Sequence, residues 1–144
     1  MAVMSFEASG LLTFEKMLAS SSKDIRKACN AGGEVARQKI AEQSRSDFTR
    51  GYSRGTTASN TKLKKAAKQG DGYAAYVTFN GTRNDGWCGT VRRNAEVAFI
   101  NEFGAPKKKP PAQGGHPARP FIQHALDKYE DQILDTIEKA LPNY

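Results

Sequence analysis

Residues 117–142 read PARPFIQHALDKYEDQILDTIEKALP, and their spacing decides what kind of fold this chain adopts. Ile122, Leu126, Tyr129, Ile133, Ile137 and Leu141 recur at steps of four, three, four, four and four, so they share one stripe of an α-helix. Pro120 suits the first turn, where its missing N–H costs nothing, and Pro142 marks the end. A helix with so apolar a stripe has to bury it against another element. A second long helix is available upstream. With Ser22 as its cap, Ile25, Cys29, Gly32, Ala36 and Ile40 recur at helical steps, with Lys23, Arg26, Arg37, Lys39 and Glu42 between them. Gly32-Gly33 interrupts this pattern, since each Gly in a helix interior costs about 1 kcal/mol relative to Ala. Either a second helix approaches closely at the pair, or the helix breaks there.

Between the two helices the periodicity changes. Tyr73–Phe79 is rich in aromatic and β-branched residues and ends at Asn80-Gly81; Trp87–Arg92 follows a second turn signal, Asn84-Asp85-Gly86. These are expected to form two antiparallel strands joined as a loose hairpin. Lys62–Lys68 reads equally as a strand or a short helical turn. Val3–Glu7 is expected to be a short strand, and Ser9 caps a short helix through Phe14, Met17 and Leu18. Ala95, Ala98, Phe99, Glu102 and Phe103 lie at helical spacing, with Gly104 as the stop. Thr49–Thr57 is dense in turn formers and reads as a mobile loop, and Ala105–Pro117 holds four of the six prolines beside Lys107, Lys108 and Lys109. The expected architecture is α+β: a small antiparallel β-sheet packed against a long helix in the N-terminal half and a C-terminal amphipathic helix, with long basic loops, in one domain over residues 1–144.

Composition bounds the function classes. The 144 residues are 38% hydrophobic and 26% charged, polar overall but with enough Phe, Leu, Ile and Val for a modest core. No apolar run approaches the roughly 20 residues a bilayer crossing needs. Met1–Gly10 lacks both a basic start and an apolar run, so an unexported protein is expected, with Cys29 and Cys88 reduced. The net charge of +7 is unevenly placed. Arg45–Lys68 carries seven bases (Arg45, Arg50, Arg54, Lys62, Lys64, Lys65, Lys68) against Asp47, a local +6, and Lys107–Lys109 with Arg119 form a second cluster. Pro120–Tyr144 is acidic, at −3. Basic runs in loops serve solubility or meet a polyanion or an acidic partner. Phe48 and Tyr52 beside Arg45, Arg50 and Arg54 offer the one hint of aromatic interleaving.

Catalysis needs converging groups of tuned pKa, and the chain supplies few. His116 sits in a Pro/Gly-rich loop and His124 on the last helix, neither at metal-ligand spacing. Trp87-Cys88-Gly89 reads as a buried small hydrophobe rather than a nucleophile. No glycine-rich phosphate loop, GxSxG or HExxH is present, and Asn80-Gly81-Thr82 reads as a turn rather than a glycosylation site. A non-enzymatic protein without cofactor or metal is expected.

What remains is an order of parts: basic loop, strand pair, a helix ending Ala98-Phe99-Ile100-Asn101-Glu102-Phe103-Gly104, a Pro-rich loop, then Pro117-Ala118-Arg119-Pro120-Phe121 opening the last helix, with Ala125 and Leu126 following. This order resembles the gene-product-ten-like neck proteins of long-tailed, lambdoid-type bacteriophages, small head–tail joining or tail-completion proteins. In that family a helix ending in Glu-Phe-Gly precedes a variable loop and a Pro-Ala-Arg-Pro-Phe entry to the C-terminal helix. Upstream the similarity is of layout. Family members often carry a Pro and a Thr-Gly after the long helix, where this chain has Arg50-Gly51-Tyr52-Ser53-Arg54-Gly55.

The resemblance implies a structural virion protein at the head–tail junction, assembled in the host cytoplasm. It implies a homo-oligomeric, hexameric ring around the DNA channel, touching neck, connector and tail-tube or terminator proteins, with non-specific contact to genomic DNA and none to membrane. A tail-terminator ring is the near alternative, and a small basic nucleic-acid-binding protein the more distant one. Glu102, Phe103, Gly104, Pro117, Arg119, Pro120 and Phe121 are expected to anchor the Pro-rich loop. Phe103 should pack near Phe121, and Glu102 should pair with Arg119. Arg45, Arg50, Arg54, Lys62, Lys64, Lys65, Lys107, Lys108 and Lys109 are the candidate DNA-channel or partner contacts, and Arg50–Asn60 and Ala105–Gly115 are expected to be mobile until docked.

Overall fold

The computed structural model of the chain describes residues 3–5, 21–48, 53–84, 91–104 and 117–142. Helix α1 (Ser22–Asp47) runs unbroken through the glycine pair. Its cap is Ser21, one residue earlier than expected: Ser21 Oγ accepts the Asp24 N–H at 3.3 Å and donates to the Asp24 carboxylate at 2.8 Å. Close packing explains both glycines. A Cβ on Gly32 would overlap Ile137 Cγ1 and stand 2.7 Å from its Cδ1, and one on Gly33 would stand 2.7 Å from Leu63 Cδ1 and 3.4 Å from the Ala75 Cβ. Gly32 thus admits the last helix and Gly33 admits the sheet, from different sides of one helix. Ala28, Ala36, Ile40, Ala41 and Ser44 extend the buried surface along α1. The long helix is therefore a middle layer, in contact with both the sheet and the C-terminal helix.

The sheet has strands β1 (Val3–Ser5), β2 (Thr61–Gln69) and β3 (Gly72–Phe79) in the order β1-β3-β2, all antiparallel. Lys62–Lys68 is thereby a strand. β3 pairs with β2 across the turn Gly70-Asp71, where Gly70 takes φ +60°, and not with Trp87–Arg92 as expected. A two-residue turn with a residue at positive φ closes a hairpin at less entropic cost than a long connection. The chain beyond Asn80-Gly81 instead forms a separate ribbon, β4 (Thr82–Arg83) with β5 (Arg92–Arg93). Residues 85–90, which include Trp87 and Cys88, lie outside the described residues. β2 carries a bulge between Lys64 and Ala67, and there the Ala66 N–H donates to Asn30 Oδ1 of α1 at 2.6 Å. Leu63, Ala75 and Val77 share the face toward α1, so Lys62 and Lys64 fall on the other face.

Ser53–Ser59, expected to be loop, forms a short helix α2 that buries Thr57 and Ala58 and packs on α1. Small residues at the right spacing win there over turn-forming composition. The rest of that loop, and the helix expected after Ser9, fall outside the described residues. Helix α3 (Asn94–Phe103) ends at Gly104 with φ +77°, whose N–H donates to the Ile100 carbonyl at 2.7 Å. Helix α4 (Phe121–Ala140) begins one residue after Pro120. Its Ile122, Ile133, Ile137 and the following Leu141 are buried against the core, as the periodicity predicts.

A buried polar network ties α2, β4 and α3 together. Arg83 Nε donates to Asn94 Oδ1 at 2.8 Å and Nη2 to Thr57 Oγ1 at 2.7 Å. Asn94 in turn donates to the Asn80 carbonyl at 2.7 Å from its side chain and to the Gly81 carbonyl at 3.0 Å from its backbone. Sequence reasoning passed over this arginine. Next to it, at the C-terminal end of α1, Phe121 lies between Phe48 and Phe79, with ring centroids 5.2 and 5.9 Å away and both pairs edge-to-face. Phe48 is thus a core residue and not a stacking platform among the arginines.

Candidate functional site

Several residues of the Glu-Phe-Gly and Pro-Ala-Arg-Pro-Phe motifs, Glu102, Gly104, Arg119 and Pro120, meet at one joint. Pro120 stands at the N-cap of α4 and offers no side-chain acceptor, so the first N–H groups of that helix need partners from elsewhere. Glu102, buried on the last turn of α3, provides them: its carboxylate accepts the Ile122 N–H at 2.9 Å and the Gln123 N–H at 3.0 Å. A carboxylate there also meets the positive end of the helix dipole. The adjacent Asn101 carbonyl accepts the Arg119 N–H at 2.5 Å. Gly104 then redirects the chain out of α3 in a backbone conformation that side-chain-bearing residues rarely adopt. The joint thus holds together the two described stretches that flank residues 105–116.

Two expected contacts are absent. Phe103 does not pack on Phe121: it is 68% exposed and lies against Phe99, itself 53% exposed, at a centroid distance of 4.9 Å. The inward stripe of α3 is Ala95, Ala98, Asn101 and Glu102, which turns Phe99 and Phe103 to the outside. Glu102 does not pair with the Arg119 side chain: its two oxygens accept backbone N–H groups of α4, and Arg119 enters the joint through its own N–H. Pro117 is exposed, and Arg119 and Pro120 are half-buried.

The basic candidates do not converge among the described residues. Arg45 is exposed on the last turn of α1, Lys62 and Lys64 are exposed on the sheet face away from α1, and Lys65 is exposed at the bulge. The side chain of Arg54, and all of Arg50, Lys107, Lys108 and Lys109, lie outside the described residues. A different basic group was missed: Lys23, Arg26 and Lys27 share an open cleft with Tyr73. Their spacing at the start of the long helix was the available signal.

Among the described residues no three of His, Cys, Asp and Glu gather to hold a metal ion, and no helix is long and apolar enough to cross a membrane. His124 Nδ1 lies 2.7 Å from Asp47 Oδ2, a contact that joins the start of α4 to the end of α1. Burial pushes the Cys29 thiol above its ordinary pKa, the opposite of what a nucleophile needs. No protein-family model, curated protein or solved structure matches the chain.

Proposed function

We propose that this chain is a non-enzymatic structural protein of a long-tailed phage virion, a neck or tail-completion protein at the head–tail junction. It assembles there as a ring of identical subunits, sixfold by the resemblance, around the DNA channel, and joins the head connector to the tail. One observation carries the proposal: Glu102 of the first motif and Arg119 and Pro120 of the second take part in the buried joint between α3 and α4. The motif therefore has a physical purpose, which is to lock the end of α3 to the start of α4 on either side of segment 105–116. A ring needs one face of a protomer to meet a different face of the next. The charge distribution suits that need, since Asp127, Glu130, Asp131 and Asp135 are exposed on α4 while Arg45, Lys62, Lys64 and Lys65 are exposed elsewhere.

The test is an early stop codon in this gene of the source phage, with lysates viewed by negative-stain microscopy. Filled heads beside separate tails of normal length are the expected outcome. Tails of uncontrolled length would reassign the protein as a tail terminator, and intact virions would overturn the structural role.

A further inference from the structure

The first turns of α1 and the tip of the β2–β3 hairpin enclose an open cleft of about 570 Å³, lined by Ser22, Lys23, Arg26, Lys27, Asn30 and Tyr73. We propose that this cleft binds the phosphodiester backbone of duplex DNA. Its three bases are other residues than those named for ring assembly, and the proposal stands or falls independently of the virion role.

Three features of the cleft favour a nucleic-acid strand. Its cations outnumber its acids: Lys23, Arg26 and Lys27 make no ion pair with a described residue, and no described acid lines the cleft. Asp24, the acid between them in sequence, is hydrogen-bonded to Ser21 at the helix cap and offsets one of the three charges, which leaves a local +2. Lys68, opposite Tyr73 in the strand register and exposed, adds a fourth base beside the cleft. Its geometry is also extended. Lys23 and Lys27 are one helical turn apart, about 6 Å along the axis, close to the spacing of successive phosphates on one strand. The Arg26 guanidinium is held 5.3 Å from the centroid of the Tyr73 ring, which orients a planar donor without neutralising it. Asn30, also at the cleft wall, accepts the Ala66 N–H with its Oδ1 at 2.6 Å, which fixes its side chain there. An open trough of exposed bases suits backbone contact, whereas a small ligand is usually enclosed.

The third feature is a cost. Like charges at i, i+3 and i, i+4 repel, and bases at the start of a helix oppose its dipole. Such an arrangement weakens the free protein, and a bound polyanion relieves it. Local rules broken without structural compensation are commonest where a site is built.

The experiment is fluorescence anisotropy of the full chain with a labelled 20-base-pair duplex between 50 and 200 mM NaCl. Three phosphate contacts predict a slope of log K against log salt near −2.7, a loss of affinity of about forty-fold over that range. K23Q/R26Q/K27Q should lose at least ten-fold in affinity at 50 mM and most of the slope, with a thermal midpoint equal to or above that of the wild type. K23Q/K27Q, which keeps Arg26 on Tyr73, should flatten the slope by about two contacts. R93Q/K128Q/K139Q removes the same charge from exposed positions elsewhere and should change affinity less than three-fold. Absence of duplex binding at 50 mM, or equal weakening by the two triple variants, would overturn the proposal. Displacement of the duplex by poly-glutamate at equal charge concentration would overturn it in favour of an acidic protein partner.

Discussion

Phe103 and Phe121 look alike in sequence and differ completely in energy. Phe121 is fully buried between two other rings, so Phe121→Ala should cost about 3–5 kcal/mol and lower the thermal midpoint by roughly 10 °C or more. Phe103→Ala removes an exposed ring and should stay within about 0.5 kcal/mol of the wild type. Equal midpoint losses for the two variants would reinstate the mutual clamp that the sequence suggests. Cys29 supplies a second test. Because burial raises its pKa in the folded chain, the unfolded chain ionises first as pH rises. Its contribution is full below the unfolded thiol pKa and is lost as pH climbs through the folded value. In a Cys88→Ser background, labelling by a disulfide reagent at pH 8 should be slower than for a free thiol and accelerate in urea. Labelling at the free-thiol rate without urea would show that Cys29 is not protected.

Individual elements depend on groups contributed by other elements. α1 is a poor helix by propensity at Gly32-Gly33, and its continuity rests on what lies against each glycine. Gly32→Ala gains about 1 kcal/mol of propensity but drives a methyl into Ile137 close to its branch point, an overpacking loss of about 1–3 kcal/mol. Gly33→Ala meets the flexible end of Leu63 and the Ala75 methyl at contact distance, and should be nearly neutral. Urea midpoints should therefore fall for the first variant and hold for the second, and Ile137→Val should partly rescue Gly32→Ala. α4 depends in the same way on α3. Glu102→Gln swaps one acceptor oxygen for an amide that faces N–H groups, and should cost about 1.5–3 kcal/mol. An unchanged melting curve would mean that the α4 N-terminus is satisfied without Glu102.

At the scale of the whole molecule, the middle position of α1 makes the fold a three-layer stack in which one helix serves two partners. Charge is unevenly placed around that stack: Asp127, Glu130, Asp131 and Asp135 are exposed on α4, while Arg45 of α1 and Lys62, Lys64 and Lys65 of β2 are exposed elsewhere. If subunits meet through these opposite charges, the attraction is between exposed groups and is screened within about 10 Å at 0.1 M salt. Sedimentation velocity should then show the assembled fraction falling between 50 and 500 mM NaCl. Assembly indifferent to salt would exclude charge-led association and point to the exposed Phe99 and Phe103 pair as the contact surface.

The long helices, the end of α3 at Gly104 and the α+β class follow from the sequence alone, because residue spacing and glycine and proline chemistry act locally, within a turn or two of backbone. The motifs at 98–104 and 117–121 are likewise legible in the order of residues. Tertiary structure alone decided that β3 pairs with β2 and β1, that Ser53–Ser59 is helical, that Phe48 is buried and Phe103 exposed, and that Glu102 grips the backbone of α4 instead of Arg119. It also gathered Lys23, Arg26, Lys27 and Tyr73 into one cleft and buried Arg83 among Thr57 and Asn94. Each of these outcomes turns on which distant surface covers a given face. That depends on how all the layers pack together, and no local pattern encodes it.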